Sequence, residues 1–138
     1  MVQATLIERQ WVPTGADFAL SHPLAQRLGS LWLLVGWCAL VGLACLMASI
    51  WLIGFSDLPA GWLMAVVMLN GLLFLMALFA IVFLILRRPQ AIVPVWIVLI
   101  LTLPFSVPLM AYWANGTRPN LVYRHRFARL VEATYDRN

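Results

Sequence analysis

The chain has 138 residues, of which 64% are hydrophobic and only 10% are charged. A soluble domain is about 45–50% apolar and about 25% charged, and a small domain keeps too much of its surface in water to hide such an excess. Composition therefore excludes a soluble globular enzyme and an intrinsically disordered chain, and it predicts an all-α integral membrane protein.

The basic residues are all arginines, nine against five acidic residues, which gives a net charge of +4. They flank the apolar stretches, so we interpret them as determinants of topology and as contacts for anionic lipid headgroups rather than for nucleic acid. An arginine-rich chain without lysine is also typical of a GC-rich bacterial genome. We therefore expect the bacterial inner membrane as the location.

Residues 1–30 form a mixed, polar N-terminal arm, which Pro13, Gly15 and Pro23 divide into short pieces. Its hydrophobic residues follow no long helical stripe. No apolar run follows a basic start, so the pattern does not predict a cleaved signal peptide. We expect the arm to lie on the membrane surface or on a partner protein.

Residues 31–114 form the predicted membrane domain, which begins with two uncharged segments, 31–54 and 61–86. At about 1.5 Å per residue, each segment is long enough to cross a hydrocarbon core of about 30 Å as a helix. The connection between them is short, so the pair predicts a transmembrane hairpin. Trp32 and Trp51 lie near the two ends of the first segment, as interfacial anchors do.

The third uncharged segment, 91–114, is interrupted by Pro104 and Pro108. Proline removes a backbone donor and crowds the preceding turn, so we expect a proline-kinked third membrane segment that crosses the bilayer. The arginines conflict with this expectation. The short loop with Arg87 and Arg88 is typical of the cytoplasmic side, and a third crossing would place the arginine-rich tail outside.

The alternative is a re-entrant third segment that turns near the two prolines. Every arginine would then lie on one side of the membrane, as the positive-inside rule favours. Non-helical backbone at membrane depth is tolerated only where protein buries it, so such a turn needs a partner. The sequence leaves this alternative open.

Residues 115–138 form a basic C-terminal tail. From about Asn120, a period of 100° per residue places five residues on one arc and predicts a C-terminal amphipathic helix that docks on a membrane surface or a partner. The five residues are Tyr123, Phe127, Leu130, Val131 and Thr134. The forked N–H donors of an arginine guanidinium match the oxygens of a phosphate group. We therefore expect four arginine side chains to contact lipid headgroups or an acidic partner. These are Arg118, Arg124, Arg126 and Arg129.

A stripe of small side chains follows one face of the first helix at 4-3-4 spacing: Cys38, Gly42, Cys45 and Ser49. Two thiols that lie two turns apart cannot form a disulfide, and the apolar run holds no histidine or carboxylate to complete a metal site. We interpret the stripe as a seam on which another helix packs. Asn70, inside the second segment, is expected to hydrogen-bond between helices.

The three apolar segments contain no Asp, Glu, Lys, Arg or His. Pumps and ion-coupled transporters depend on such residues within the membrane, so an autonomous transporter is disfavoured. The sequence predicts a non-enzymatic accessory subunit that assembles with larger membrane proteins and has no cofactor or metal. One alternative is a small homo-oligomeric, pore-forming protein. Another is a membrane enzyme or carrier that holds a lipid-phosphate substrate with the arginine-rich tail.

Overall fold

The computed structural model describes residues 5–134, and it describes side chains within residues 10–127 other than residue 20. The fold is mostly helical, with one pair of strands. In chain order the elements are β1 (Thr5–Pro13), α1 (Ala16–Ser21), α2 (Pro23–Gln26), α3 (Trp32–Phe55), α4 (Ala60–Ile85), α5 (Ile92–Leu101), α6 (Val107–Asn115), α7 (Thr117–Arg124) and β2 (Arg126–Thr134).

The helices α3 and α4 form an antiparallel hairpin, and both are long and apolar enough to cross a membrane. A helix bonds most of its backbone polar groups within itself, and the side chains of both helices are uncharged. Gly42 lies where the two helices pack together. A Cβ atom at this position would lie 3.6 Å from the Phe74 ring and 3.7 Å from the Ala77 Cβ, so the seam packs against α4.

The third apolar segment does not run the length of this hairpin, so its path differs from the expected single kinked helix. It is divided into α5 and α6 by a turn over residues 102–106. The 10 residues of α5 extend about 15 Å, half of a hydrocarbon core of about 30 Å. The end of α6 then returns to the start of α3, where the Tyr112 hydroxyl lies 2.6 Å from the Ser30 Oγ.

Hydroxyl groups of the turn bond the carbonyl groups in the last turn of α5. Thr102 donates to the Val98 carbonyl over 2.8 Å, and Ser106 donates to the Leu99 carbonyl. The Trp37 indole of α3 in turn donates to the Thr102 Oγ1 over 3.2 Å. The prolines have no N–H group to satisfy, so the turn leaves fewer backbone donors without a partner.

The tail contains a strand where the sequence predicts a helix. The helical expectation holds only to Arg124, the last residue of α7. His125 takes a left-handed conformation, with φ 49° and ψ 44°, which ends the helix. The next nine residues form β2 and pair antiparallel with β1. The chain is therefore not all-α, and the prediction of a C-terminal amphipathic helix is wrong. Residues 135–138 of the predicted tail lie outside the described residues.

This pairing holds the N-terminal arm and the tail at one end of the α3–α4 hairpin. Val12 lies opposite Phe127 in the register, and Thr14 donates to the His125 carbonyl over 3.0 Å. Tyr123 donates to the Leu84 carbonyl near the end of α4 over 2.8 Å. The hydrophobic core extends from the hairpin into this end, where its largest fully buried side chains include Trp113, Tyr123, Leu31, Leu84 and Leu121.

The register predicts a specific cross-link between the arm and the tail. Opposite residues of an antiparallel pair bring their Cβ atoms within about 4.5–5.5 Å, close to disulfide geometry. The double variant Val12→Cys with Phe127→Cys should therefore cross-link under mild oxidation, as a mobility shift in non-reducing electrophoresis. Val12→Cys with Arg126→Cys is the matched control, because adjacent residues point to opposite faces. Equal cross-linking of both pairs would contradict the register.

Candidate functional site

The candidate site is the basic end of the molecule, which we define as the arm, the loop after α4, and the tail. Of the nine arginines, the eight within residues 5–134 all lie in these three parts. Asp57, in the connection between α3 and α4, lies at the opposite end of the hairpin. The molecule is therefore electrostatically polar along the hairpin axis.

Two arginines at the basic end anchor the segment that leads from α2 into α3. Arg87 donates from Nη2 to the Gln26 carbonyl over 2.7 Å, and Arg118 donates from Nη1 to the Leu28 carbonyl over 3.3 Å. A carbonyl is a neutral acceptor, so neither bond neutralises the guanidinium charge. Arg27, within the same segment, and Arg88, next to Arg87, are exposed. We call Arg27, Arg87, Arg88 and Arg118 the arginine collar.

Gly29 makes room for one member of this collar. Its φ of +48° lies in the left-handed region, and a Cβ atom here would overlap the Arg118 guanidinium. Only glycine combines this backbone conformation with so close an approach. Next to it, the Ser30 Oγ and the Tyr112 hydroxyl share the hydrogen bond that joins the start of α3 to α6.

Tyr123 fastens α7 to the end of α4. Its side chain is buried, and its hydroxyl donates to the Leu84 carbonyl in the last turn of α4, which also accepts from the Arg87 backbone N–H. Burial raises the pKa of Tyr123 well above its usual value, and the nearby Arg87 charge opposes this rise only in part. The phenol therefore stays protonated and continues to donate this hydrogen bond in moderately alkaline solution.

The four tail arginines predicted as contacts are not equivalent. Arg124 is half-buried, donates to the Ala114 carbonyl and the Asn120 Oδ1 over 3.0 Å each, and lies 5.9 Å from the centre of the Trp113 ring. Burial, with the neighbouring Arg126 charge, lowers the pKa of Arg124. Its guanidinium thus joins α6 to α7.

The remaining arginines of the predicted set differ in what they can reach. Arg118 belongs to the collar, and Arg126 is exposed at the start of β2. Arg129 lies in β2 opposite Gln10, and its side chain is outside the described side chains. Lipid or partner contact by this set stays a prediction. Sequence reasoning used Arg27, Arg87 and Arg88 for topology alone, and missed that folding gathers them around one short segment.

The predicted seam lies within the chain's own hairpin. Cys38, Gly42 and Cys45 are buried, and Ser49 is half-buried. Both thiols are free. Among the described residues, no group of three or more His, Cys, Asp or Glu side chains is arranged to hold a metal ion. Of its four residues, Gly42 is the one whose neighbours on α4 are Phe74 and Ala77, and helix packing by the rest of the seam stays a prediction.

Asn70 is the polar exception on α4. Its side chain is half-buried, ten residues into the 26-residue helix, and makes no hydrogen bond to any residue that the structure describes. Gly42 of α3 packs against Phe74 and Ala77 of α4. Because the two helices are antiparallel, Ser49 then lies near the level of Asn70, but no hydrogen bond joins the two side chains. The amide therefore retains its donors and acceptor for another group.

The Tyr123 hydrogen bond predicts an alkaline loss of stability. Tyr123→Phe keeps the packing and removes one of the hydrogen bonds to the Leu84 carbonyl, which also accepts from the Arg87 backbone N–H, so it should lower the free energy of unfolding by about 0.5–1.5 kcal/mol. An unfolded tyrosine has a pKa of about 10, and the folded pKa is raised. The stabilisation is complete below about pH 10 and is lost as pH rises towards the folded pKa.

The measurement is unfolding of the detergent-solubilised chain across this alkaline range, followed by tryptophan fluorescence. Tyr123→Phe should lack the part of the alkaline decline that Tyr123 contributes. Tyr112→Phe is the control, because it removes a phenol that is half-buried and bonded to a side chain rather than to a helix carbonyl. Equal alkaline declines in the parent and in Tyr123→Phe would contradict the assignment.

Comparisons of this chain with protein-family models, with curated proteins and with solved structures find no match. The geometry described above therefore carries the argument about function.

Proposed function

We propose that the α3–α4 hairpin crosses a membrane and that the chain is a non-catalytic subunit that assembles with larger membrane proteins. The surface of the hairpin is the observation that carries the membrane insertion. Every exposed residue on α3 and α4 is apolar or glycine. In water these two helices would expose a large apolar surface, which is unfavourable, whereas the hydrocarbon core of a bilayer solvates such a surface.

Exposed tryptophans mark the two ends of this apolar surface. Trp32, at the basic end, is 57% exposed, and Trp51 and Trp62, at the opposite end, are 60% and 70% exposed. Nineteen residues separate Trp32 from Trp51, or about 28 Å of helix, which matches a hydrocarbon core of about 30 Å. Tryptophan favours both interfaces, so these side chains support the proposed depth of insertion.

The orientation follows from the distribution of charge. With two crossings, the basic end lies on one side of the membrane and Asp57 on the other. Arginine-rich ends are retained in the cytoplasm, so we place the arm and the tail there. The re-entrant α5–α6 pair then occupies the cytoplasmic leaflet, because it enters and leaves at the basic end.

Asn70 supports assembly with another membrane protein. An amide in the hydrocarbon region is disfavoured unless it finds a hydrogen-bond partner, and residues 10–127 supply none among the described side chains. A polar group on a neighbouring transmembrane helix would satisfy it. Measured bonds of this kind contribute about 0.6–1.7 kcal/mol, enough to favour a specific partner orientation.

The two alternatives find less support. A homo-oligomeric pore needs a polar stripe facing its channel, and the exposed faces of α3 and α4 are entirely apolar. An enzyme or carrier for a lipid phosphate needs free tail arginines beside a reactive group. The Arg124 guanidinium is instead held by the Ala114 carbonyl, the Asn120 side chain and the Trp113 ring.

The proposed topology predicts the sides from which two introduced thiols react. Asp57→Cys should react with a membrane-impermeant thiol reagent in intact bacterial cells. Thr134→Cys should react only after permeabilisation. The unsubstituted chain is the control, since Cys38 and Cys45 are buried. Labelling of both introduced thiols from outside would contradict the two-crossing arrangement.

Assembly predicts a loss of partner binding on removal of the Asn70 amide. Asn70→Leu should weaken association with the co-purifying membrane proteins by about three- to twentyfold, because one intramembrane hydrogen bond is lost. Met68→Leu, at an exposed position nearby on α4, is the matched control and should leave association unchanged. The measurement is quantitative mass spectrometry of complexes purified from native membranes in mild detergent.

The outcome that would overturn the proposed function is also specific. A homogeneous self-oligomer that conducts ions in vesicles, with no other membrane protein in stoichiometric amount, would favour the pore-forming alternative.

A further inference from the structure

We propose that the arginine collar and an apolar groove between α4 and α5 together bind one anionic glycerophospholipid. The headgroup phosphate would lie on the collar and one acyl chain in the groove. The proposal rests on the membrane insertion argued above and adds the class of ligand that the basic end recognises.

The groove has a volume of about 270 Å³ and a wholly apolar lining. The lining residues are Leu69, Leu72, Leu73, Met76, Ile97 and Leu101. Leu72 and Leu101 are 55% and 58% exposed, so the groove opens on the outer surface of the helices. It offers no hydrogen-bonding group, which suits a hydrocarbon chain and excludes a polar ligand.

The groove begins at the depth of the acyl chains in the leaflet next to the basic end and extends past the middle of the bilayer. Its lining residues lie five to nine residues into α5, or about 8–14 Å, and nine to sixteen residues from the end of α4, or about 14–24 Å. One leaflet of the hydrocarbon core is about 15 Å thick, so the shallower part of the groove is within reach of an acyl chain whose headgroup lies at the basic end. The loop with Arg87 and Arg88 joins these same two helices, so a lipid phosphate at that loop stands above the groove.

The collar carries positive charge that the described residues do not neutralise. Arg87 and Arg118 donate to backbone carbonyls, and Arg27 and Arg88 are exposed. The described side chains include two carboxylates, Asp17 and Asp57, and both are exposed. A guanidinium has five N–H donors, so Arg87 and Arg118 keep donors for phosphate oxygens.

The volume of the groove, about 270 Å³, favours a lipid chain over a protein helix. A helix is about 10–12 Å across with its side chains, whereas a single hydrocarbon chain is thinner and flexible. A free phosphate would use the collar but leave the apolar groove without an occupant. An anionic phospholipid satisfies both features, and a zwitterionic lipid would bring its own cation to the collar.

The test is native mass spectrometry of the delipidated full chain in detergent, titrated with phosphatidylglycerol and with phosphatidylcholine of the same acyl chains. Phosphatidylglycerol should bind about tenfold more tightly or better. Arg88→Gln should reduce its affinity about tenfold, the factor for one charge-assisted hydrogen bond. The control Asp57→Asn changes the charge by one unit at the opposite end of the hairpin and should leave the affinity unchanged.

A second pair of variants tests the groove. Leu72→Trp fills its opening and should reduce phosphatidylglycerol binding severalfold, whereas Leu78→Trp, at an exposed position of α4 outside the lining, should not. Excess glycerol phosphate, which has the headgroup charge without acyl chains, should fail to displace the lipid. Displacement by glycerol phosphate, equal binding of the two lipids, or equal effects within either variant pair would overturn the proposal.

Alkaline carbonate extraction of membranes distinguishes this failure from failure of the proposed function. A chain that resists extraction but shows no lipid selectivity would be membrane-embedded without this lipid site. A chain released by carbonate would overturn the insertion on which both proposals rest.

Discussion

The pairing of β1 with β2 is the constraint on which the rest of the structure depends. It joins Thr5–Pro13 to Arg126–Thr134 and so brings the first and last described elements together. If two helices cross a membrane and the chain ends must meet, no third crossing is allowed. The apolar segment between α4 and β2 must therefore turn back, and it does so near the two prolines.

Turning back at membrane depth is disfavoured unless the freed carbonyl groups find donors. The Leu99 carbonyl accepts from the side chains of Thr102 and Ser106, and Trp37 donates to the Thr102 hydroxyl and so joins the turn to α3. The prolines add to this effect because they have no N–H group to satisfy. The length of an uncharged segment does not reveal these bonds, which is why length alone predicts a span.

The length of the uncharged runs predicts the two long helices well, whereas local periodicity predicts the tail poorly. α3 and α4 follow from uncharged runs long enough to span, and their ends lie within two residues of the predicted ones. Phe127 and the β-branched residues after it fit one arc of a helix, yet they also suit a strand. What decides between the two is a partner strand more than 110 residues away, which no local window contains.

The candidate site, too, is predictable from the sequence only in part. Gly42 is predicted as a packing position from spacing alone, because the spacing is a property of one helix. The arginine collar is not, because it gathers residues from three separate parts of the chain around the segment 26–28. Sequence reasoning weighted the tail arginines as a cluster, whereas folding directs Arg124 inward onto the Trp113 ring.

The two proposed interactions share a depth on α4 and differ in the face of the helix that they use. Leu69, Leu72, Leu73 and Met76 line the groove and are spaced one, three or four residues apart, so they lie on one side of α4. Asn70 follows Leu69 by one residue, which turns its side chain about 100° around the helix axis. A partner helix that packs on the Asn70 side of α4 therefore leaves the groove between α4 and α5 open to a lipid, since the two ligands approach the same helix from different directions.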